Sequence, residues 1–301
     1  MTSDSSIQRG QLAFAELLNS AGFEHQLAAD GNAATFALRS IGGGPPTQFA
    51  ATQAGSELTL RATAMACRRP EARQLRYLNE FNLWSQGVVA GWSRSREAIE
   101  VRASVPNVPS HAPHPYVIGA LASSLHALVP LVAAGKMPND QERAAIFVDD
   151  DPPEGGLTLR AVARAFEVVV PLTEQTDGSY GAACHYHVGS YVARLSWSRF
   201  DGFTFDALGP GNPPFSFNDE TLARIIELNS FLSIGGVSLW GDTARATLVF
   251  RRAIPLLWLS CARGDGVTLL SYDFVKSTLD NASGAWEDIE RIWRGGPIHR
   301  P

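Results

Sequence analysis

Two histidines two residues apart are the first candidates for chemistry in this sequence. His185 and His187 lie in a predicted strand, where alternate side chains point to the same face and both rings could reach one metal ion. Such a site needs a third ligand, usually a nearby carboxylate. The next residues are Gly189-Ser190-Tyr191, and the first carboxylate is Asp201. We therefore interpret the pair as two histidines on a sheet face. A metal-dependent or small-molecule enzyme that uses them with Asp201 is the alternative.

The other reactive side chains do not form a recognisable catalytic arrangement. Cys184 and His185 are adjacent, so a strand places them on opposite faces, where they cannot act as nucleophile and base. We interpret Cys67 and Cys261 as small core residues. The run Gly42-Gly43-Gly44-Pro45-Pro46 lacks the Lys-Ser/Thr that phosphate binding requires. We therefore predict no catalytic residue, no metal site and no cofactor.

Composition narrows the classes of function further. The chain has 301 residues, of which 45% are hydrophobic and 18% are charged, so a folded core is expected. Its net charge is −5, which argues against nucleic acid as the main partner because phosphate binding needs a basic face. Only Lys136 and Lys276 are lysines among the 25 basic residues, and we attribute this arginine bias to GC-rich codon usage.

The location is predicted to be the cytoplasm. The polar start Met1–Ser6 has neither the basic nor the apolar region of a secretory signal, and three widely spaced cysteines do not form a disulfide framework. The uncharged stretch from Tyr116 to Gly135 has the length of a membrane span. Its large apolar residues, however, form one stripe with helical spacing, which predicts an amphipathic helix packed on the protein and no membrane partner. The stripe is Ile118, Leu121, Leu125, Leu128 and Val132.

A short motif occurs twice in the chain. Leu78-Asn79-Glu80-Phe81 recurs 150 residues later as Leu228-Asn229-Ser230-Phe231. Trp92 lies fourteen residues after Leu78 of the first copy, and Trp240 lies twelve residues after Leu228 of the second. We infer an internal repeat from this order, with the two tryptophans at corresponding hairpin positions.

A third landmark and a linker divide the chain. Val105-Pro106 recurs as Ile254-Pro255, an offset of 149. Between the copies lies a stretch rich in proline, glycine and aspartate, which is typical of a linker. We predict a first repeat over 1–140, a linker over 141–155 and a second repeat over 156–301.

Local patterns predict the same element order in both repeats: a helix, three or four strands, a helix, two strands and a helix. The middle helices are predicted over Glu71–Trp84 and Asp219–Leu232, and one strand of the second repeat over Glu167–Leu172. Short turns join the strands, so we expect antiparallel sheets and the α+β class, with the order α-β(3-4)-α-β-β-α in each repeat.

The motif and the hairpin that follows it resemble the bacterial YbjN-like family, whose members look like type III secretion chaperones in fold. The matching residues are Tyr77–Asn82 followed by Gly87–Val105. The second copy matches less well, because Leu232 replaces the second asparagine. The resemblance implies a tandem protein without enzymatic activity and with a binding, chaperone or regulatory role.

Four residues are candidates for partner binding. Asn79 and Asn229 repeat on otherwise apolar helices, where each amide either bridges backbone groups of the adjoining hairpin or recognises a ligand. Trp92 and Trp240 are suited equally to a contact surface and to core packing.

The sequence thus predicts a non-catalytic protein that recognises another polypeptide by strand addition or in an apolar groove. A scaffold without a separable ligand is a third class. Because chaperones of the resembled fold pair as homodimers, the resemblance also implies a monomer whose repeats form the dimer within one chain. The middle helices and the two hairpins are the surfaces expected to meet.

Overall fold

The chain folds into two antiparallel sheets with helices packed on them. A computed structural model describes residues 14–39, 45–54, 57–85, 87–106, 115–146, 158–186, 189–198, 202–209, 218–241, 247–254, 272–296 and 298. Each sheet has six strands, and the chain belongs to the α+β class, which confirms the prediction of class. We call residues 14–146 the first half and residues 158–298 the second half.

The first half contains one sheet with the strand order β1-β2-β3-β4-β6-β5. Its strands are β1 (His25–Leu27), β2 (Ala33–Leu38), β3 (Thr47–Ala54), β4 (Glu57–Ala66), β5 (Val88–Ser93) and β6 (Ala98–Pro106). Its helices are α1 (14–20), α2 (Ala72–Trp84), α3 (Pro115–Ala134) and α4 (Asp140–Ile146). Alternate apolar residues of β4 and β6 face the core, since side chains of a strand point to the two faces in turn.

The second half contains the other sheet, whose strands pair in the order β7-β8-β9-β10-β12-β11. The strands are β7 (Thr173–Glu174), β8 (Tyr180–Tyr186), β9 (Gly189–Ser198), β10 (Gly202–Leu208), β11 (Gly236–Trp240) and β12 (Thr247–Ile254). The helices are α5 (Leu159–Glu167), α6 (Asp219–Phe231) and α7 (Tyr272–Trp293). Read from the outer edge inwards, both sheets have the same succession of strands.

The predicted strand over Glu167–Leu172 is wrong. Glu167 is the last residue of α5, and the next strand begins at Thr173. The Thr158 hydroxyl caps α5 by accepting a hydrogen bond from the Ala161 N–H group, and apolar residues at helical spacing bury one face of this helix. The β-branched valines that suggested a strand lie in the turn after the helix, where Val168 is 68% exposed.

Helix α3 carries the uncharged stretch. Among the described residues it is the one helix long and apolar enough to cross a bilayer. All five residues of the predicted stripe are buried, and α3 contacts β4 and β6. The prediction of an amphipathic packed helix is confirmed.

The predicted linker over 141–155 begins inside α4 and continues into residues 147–157, which lie outside the described residues. Among the described residues, the two halves meet through their helices and edge strands. Helix α6 contacts β5, and α2 contacts both α6 and β11.

Candidate functional site

Asparagine side chains hydrogen-bond to the edge strands β5 and β11, which we call the inner edges of the two sheets because they lie at the contact between the halves. The Asn82 Nδ2 atom donates to the Ala90 carbonyl at 2.9 Å, and the Ala90 N–H group donates to Asn82 Oδ1 at 2.7 Å. Asn229 makes the same pair of bonds with Val237, at 2.9 and 2.7 Å. Because Ala90 and Val237 lie on edge strands, each amide replaces a missing neighbouring strand.

Asn79 reaches across to the other half. Its side chain accepts a hydrogen bond from the Leu239 N–H group at 2.7 Å and donates to the Leu239 carbonyl at 3.0 Å. The predicted bridge to the adjoining hairpin is therefore confirmed for Asn229, whereas Asn79 bridges the opposite hairpin. By contacts, the counterpart of Asn229 is Asn82. The motif matched Asn229 to Asn79 instead, and Asn79 lies three residues before Asn82 on α2. Three residues are close to one helical turn, so Asn79 and Asn82 lie near the same face of the helix.

The two tryptophans do not occupy corresponding positions. The asparagine contacts match Ala90 to Val237, which matches Trp92 to Leu239 and leaves Trp240 one residue further along. Trp92 is buried in the core, and its Nε1 atom donates to the Cys67 carbonyl at 3.0 Å. Trp240 is 53% exposed. Adjacent residues of a strand point to opposite faces of the sheet, so a shift of one residue places the Trp92 ring on the core side and the Trp240 ring on the solvent side.

Arginines from each half bind the end of the other half's middle helix. Arg102 Nε donates to the Asn229 carbonyl at 3.0 Å, and its Nη2 atom donates to the Gly235 carbonyl. Arg251 Nη1 donates to the Leu83 carbonyl of α2 at 3.1 Å. The last carbonyls of a helix have no partner within it and carry partial negative charge, so a guanidinium stabilises this end. No local pattern in the sequence pointed to these contacts, because the partners are more than 120 residues apart in the chain.

A buried ion pair also joins the halves. Arg252 Nη2 lies 2.7 Å from Glu57 Oε1, and both side chains are nearly inaccessible to solvent. Arg252 Nη1 donates to the Thr278 hydroxyl at 2.6 Å, and the guanidinium lies 3.9 Å from the centre of the Phe274 ring. Burial raises the pKa of Glu57 even though Arg252 lowers it. Loss of either partner would leave a buried charge unpaired.

Gly91 allows helix and strand to touch. A Cβ atom at this position would lie 2.7 Å from the backbone nitrogen of Ser230 and 3.0 Å from the carbonyl carbon of Asn229. Only a residue without a side chain permits this approach of α6 to β5.

A cleft of about 1150 Å³ opens beside this contact and is lined by both halves. The first half contributes Arg68 and Arg69, which precede α2, together with Trp92 and Arg94 of the β5 hairpin. The second half contributes residues of α6, including Ala223 and Arg224. The carboxylates on its wall are Glu97 and Glu220.

The arginines of the cleft differ in their contacts. Arg94 Nη2 lies 3.0 Å from Glu227 Oε2, and its guanidinium lies 5.4 Å from the centre of the Trp92 ring. Arg68 forms a looser pair with Glu97, with 3.7 Å between Nε and Oε1. Arg224 Nη1 donates to the Ile292 carbonyl near the end of α7 at 3.1 Å. The cleft is therefore lined by positively charged side chains and by the small exposed part of Trp92.

The cysteines of the described residues are in environments that disfavour the reactive thiolate. Burial raises the pKa of Cys67, which lies on the wall of the cleft. Burial likewise raises the pKa of Cys184 on β8. Since the thiolate is the nucleophile, a raised pKa makes both thiols less reactive at neutral pH.

The histidine pair is only partly described. His185 is exposed on β8, whereas His187, Asp201 and Cys261 lie outside the described residues. Within the described residues, no group of three His, Cys, Asp or Glu side chains is arranged to hold a metal ion. Comparisons of the chain with protein-family models, with curated proteins and with solved structures found no match.

Proposed function

We propose that this chain is a non-catalytic cytoplasmic protein that recognises a segment of another polypeptide in the cleft between its halves. The observation that carries the proposal is the cleft itself, because it is large, open and lined by exposed arginines beside Trp92. Arginine is one of the residue types enriched where proteins bind one another, and three of the four arginines of the cleft are exposed. The net charge of −5 favours a polypeptide over nucleic acid as the partner.

Groove docking is the favoured mode of binding. Strand addition requires a free sheet edge, and the inner edges at β5 and β11 already bond to asparagine side chains. The outer edges are β1, with three residues, and β7, with two. Edge strands this short offer few backbone groups to an added strand.

We propose further that the halves are two YbjN-like units that form a dimer within one monomeric chain. The equal strand order, the matching contacts of Asn82 and Asn229, and the reciprocal contacts of Arg102 and Arg251 support this. The fragments 1–140 and 155–301 test it. We expect each to aggregate alone and to form a soluble pair when coexpressed. Two stable monomers that ignore each other would contradict the proposal.

Peptide binding is tested directly by an array of immobilised twelve-residue peptides of varied composition, probed with the labelled full chain. The variant Ala223→Gln enlarges a side chain on the wall of the cleft, and Ala165→Gln is its control on α5, where the alanine is similarly half-buried. We expect the first variant to lose binding and the second to keep it. A melting temperature measured for each variant separates loss of binding from loss of fold. An array with no bound peptide, or equal binding by both variants, would contradict the proposed function.

The histidines are expected to be dispensable for this function. Replacing His185 and His187 by alanine changes one exposed ring on β8 and its neighbour two residues on. We expect the double variant to bind the same peptides with unchanged melting temperature. Metal analysis of the purified protein completes this test. Stoichiometric zinc or iron that disappears in the double variant would favour the metal-dependent enzyme instead.

A further inference from the structure

We infer that the segment bound in the cleft is acidic and that its carboxylates pair with Arg68, Arg69 and Arg94. The inference deepens the proposed function and rests on it. Its basis is a contrast of charge, since the whole chain carries −5 while this cleft has four arginines against Glu97, Glu220 and the adjacent Glu227. A local positive patch on an acidic protein attracts a short anionic segment and gives it a preferred position.

Arg68 and Arg69 have guanidinium groups available for a partner. The Arg68 side chain is 90% exposed, and its distance of 3.7 Å from Glu97 is that of a loose surface pair. Arg69 is exposed, and no carboxylate of the described residues lies within ion-pair distance of it. Neither side chain is committed to holding the fold together.

Arg94 is oriented for recognition. Its contacts with Glu227 and with the Trp92 ring hold the guanidinium in place, yet the Arg94 side chain stays 66% exposed. A guanidinium has five N–H donors, so the ion pair with Glu227 leaves N–H groups free to donate to both oxygens of a second carboxylate. Trp92 is itself fixed by its bond to the Cys67 carbonyl. The arrangement is therefore ordered before the ligand arrives.

Arg224 contributes charge more than hydrogen bonds. Its Nη1 and Nη2 atoms donate to the carbonyls of Ile292 and Gly296. Because α6 supplies this residue and the first half supplies the other three arginines, the complete charged site exists only when both halves are in contact.

Fluorescence anisotropy with the full chain tests the inference. The probe is a labelled twelve-residue peptide of alternating Glu or Asp with Gly and Ser, and its control replaces each acid by the matching amide. We expect the acidic peptide to bind about tenfold more tightly than the amide peptide at low ionic strength, because each exposed pair contributes a factor of about two to five. We also expect the advantage to shrink as salt is added, since salt screens exposed charges.

Matched variants assign the effect to the cleft. The double variant Arg68→Gln/Arg69→Gln changes two exposed residues, and Arg160→Gln/Arg164→Gln removes the same charge from the exposed side of α5. We expect the first pair to weaken the acidic peptide about fivefold or more and to leave the amide peptide unchanged. The second pair should change neither.

Three outcomes would overturn the inference. They are equal affinity for the two peptides, equal effects of the two double variants, and tighter binding of a single-stranded oligonucleotide of matched charge. An amide peptide that binds in the cleft as well as the acidic one refutes the inference and leaves the proposed function standing. Failure of every peptide on the array refutes the proposed function itself.

Discussion

Replacing Gly91 by alanine tests the contact between the halves at one atom. The added Cβ would meet three backbone atoms of α6, at 2.7 Å from Ser230 N and 3.0 Å from both Asn229 C and Ser230 Cα. Backbone atoms cannot rotate away as the end of a side chain can, so α6 must move. That movement pulls on the Asn229 bonds to Val237 and on the Arg102 bond to the helix end.

The expected cost follows from two opposing terms. Insertion of a methyl group into a close-packed contact costs about 1–3 kcal/mol. Alanine in a strand normally gains about 0.5–1 kcal/mol over glycine. Because backbone atoms of α6 cannot yield, we expect the cost of insertion to lie in the upper part of its range, so the variant should lose about 1–2 kcal/mol of unfolding free energy.

Urea denaturation with a matched control measures this. Gly119 lies in α3, and a Cβ there would meet no atom within 4 Å. Gly119→Ala should raise the unfolding free energy by about 0.5–1 kcal/mol, because alanine favours the helix. Opposite signs for the two variants are expected. A Gly91→Ala protein as stable as the Gly119→Ala protein would refute the packing of α6 on β5.

Three further expectations concern groups that hold this arrangement. Asn229→Leu should lower the unfolding free energy by about 1–3 kcal/mol, because it leaves the buried backbone groups of Val237 without hydrogen-bond partners. Asn79→Leu should lower it less, because Asn79 is only partly buried. An unchanged urea midpoint for Asn229→Leu would contradict the role of this amide at the sheet edge. Glu57→Gln and Arg252→Met should each cost about 3–5 kcal/mol, and the double variant less than their sum; additive losses in thermal unfolding would contradict the coupling. Burial raises the pKa of Tyr77 from 10.0 in the unfolded chain to about 12 in the folded one, so the unfolded chain loses the phenol proton at lower pH. The neutral phenol therefore contributes its full stability below pH 10.0, and this contribution is lost as the pH rises towards about 12. Tyr77→Phe should therefore lose less stability over that range in urea titrations, and identical slopes would show that the phenol plays no part.

Patterns of local origin were sufficient to predict part of this fold. The stripe of α3 is set by helical periodicity, and all five of its residues are buried as expected. The α+β class followed from alternating strands joined by short turns. The strand over Glu167–Leu172 failed because Thr158 and the buried face of α5 outweigh the β-propensity of the valines that follow. Packing of a whole helix face overrides the preference of a few residues.

The candidate site was harder to predict because its residues meet only in three dimensions. The arginine excess of the sequence was attributed to codon usage, yet four of these arginines line one cleft. Arg69 and Arg224 are far apart in the chain, and no local period links them. The repeated Leu-Asn-x-Phe motif pointed to the correct helices, while the hydrogen bonds assign the matching role to Asn82. Asn79 and Asn82 are about one helical turn apart and lie near the same face of α2, so a short motif cannot distinguish them.

Hydrogen–deuterium exchange of the full chain with a saturating peptide shows which segments a bound peptide protects. The peptide is the tightest binder from the array. If the peptide binds in the cleft, exchange should slow in three segments that line it, residues 67–69, 92–94 and 220–224. The outer face of β9, which includes the exposed Val192, should be unaffected. Protection confined to that sheet face, or absent from the three segments, would contradict binding in the cleft.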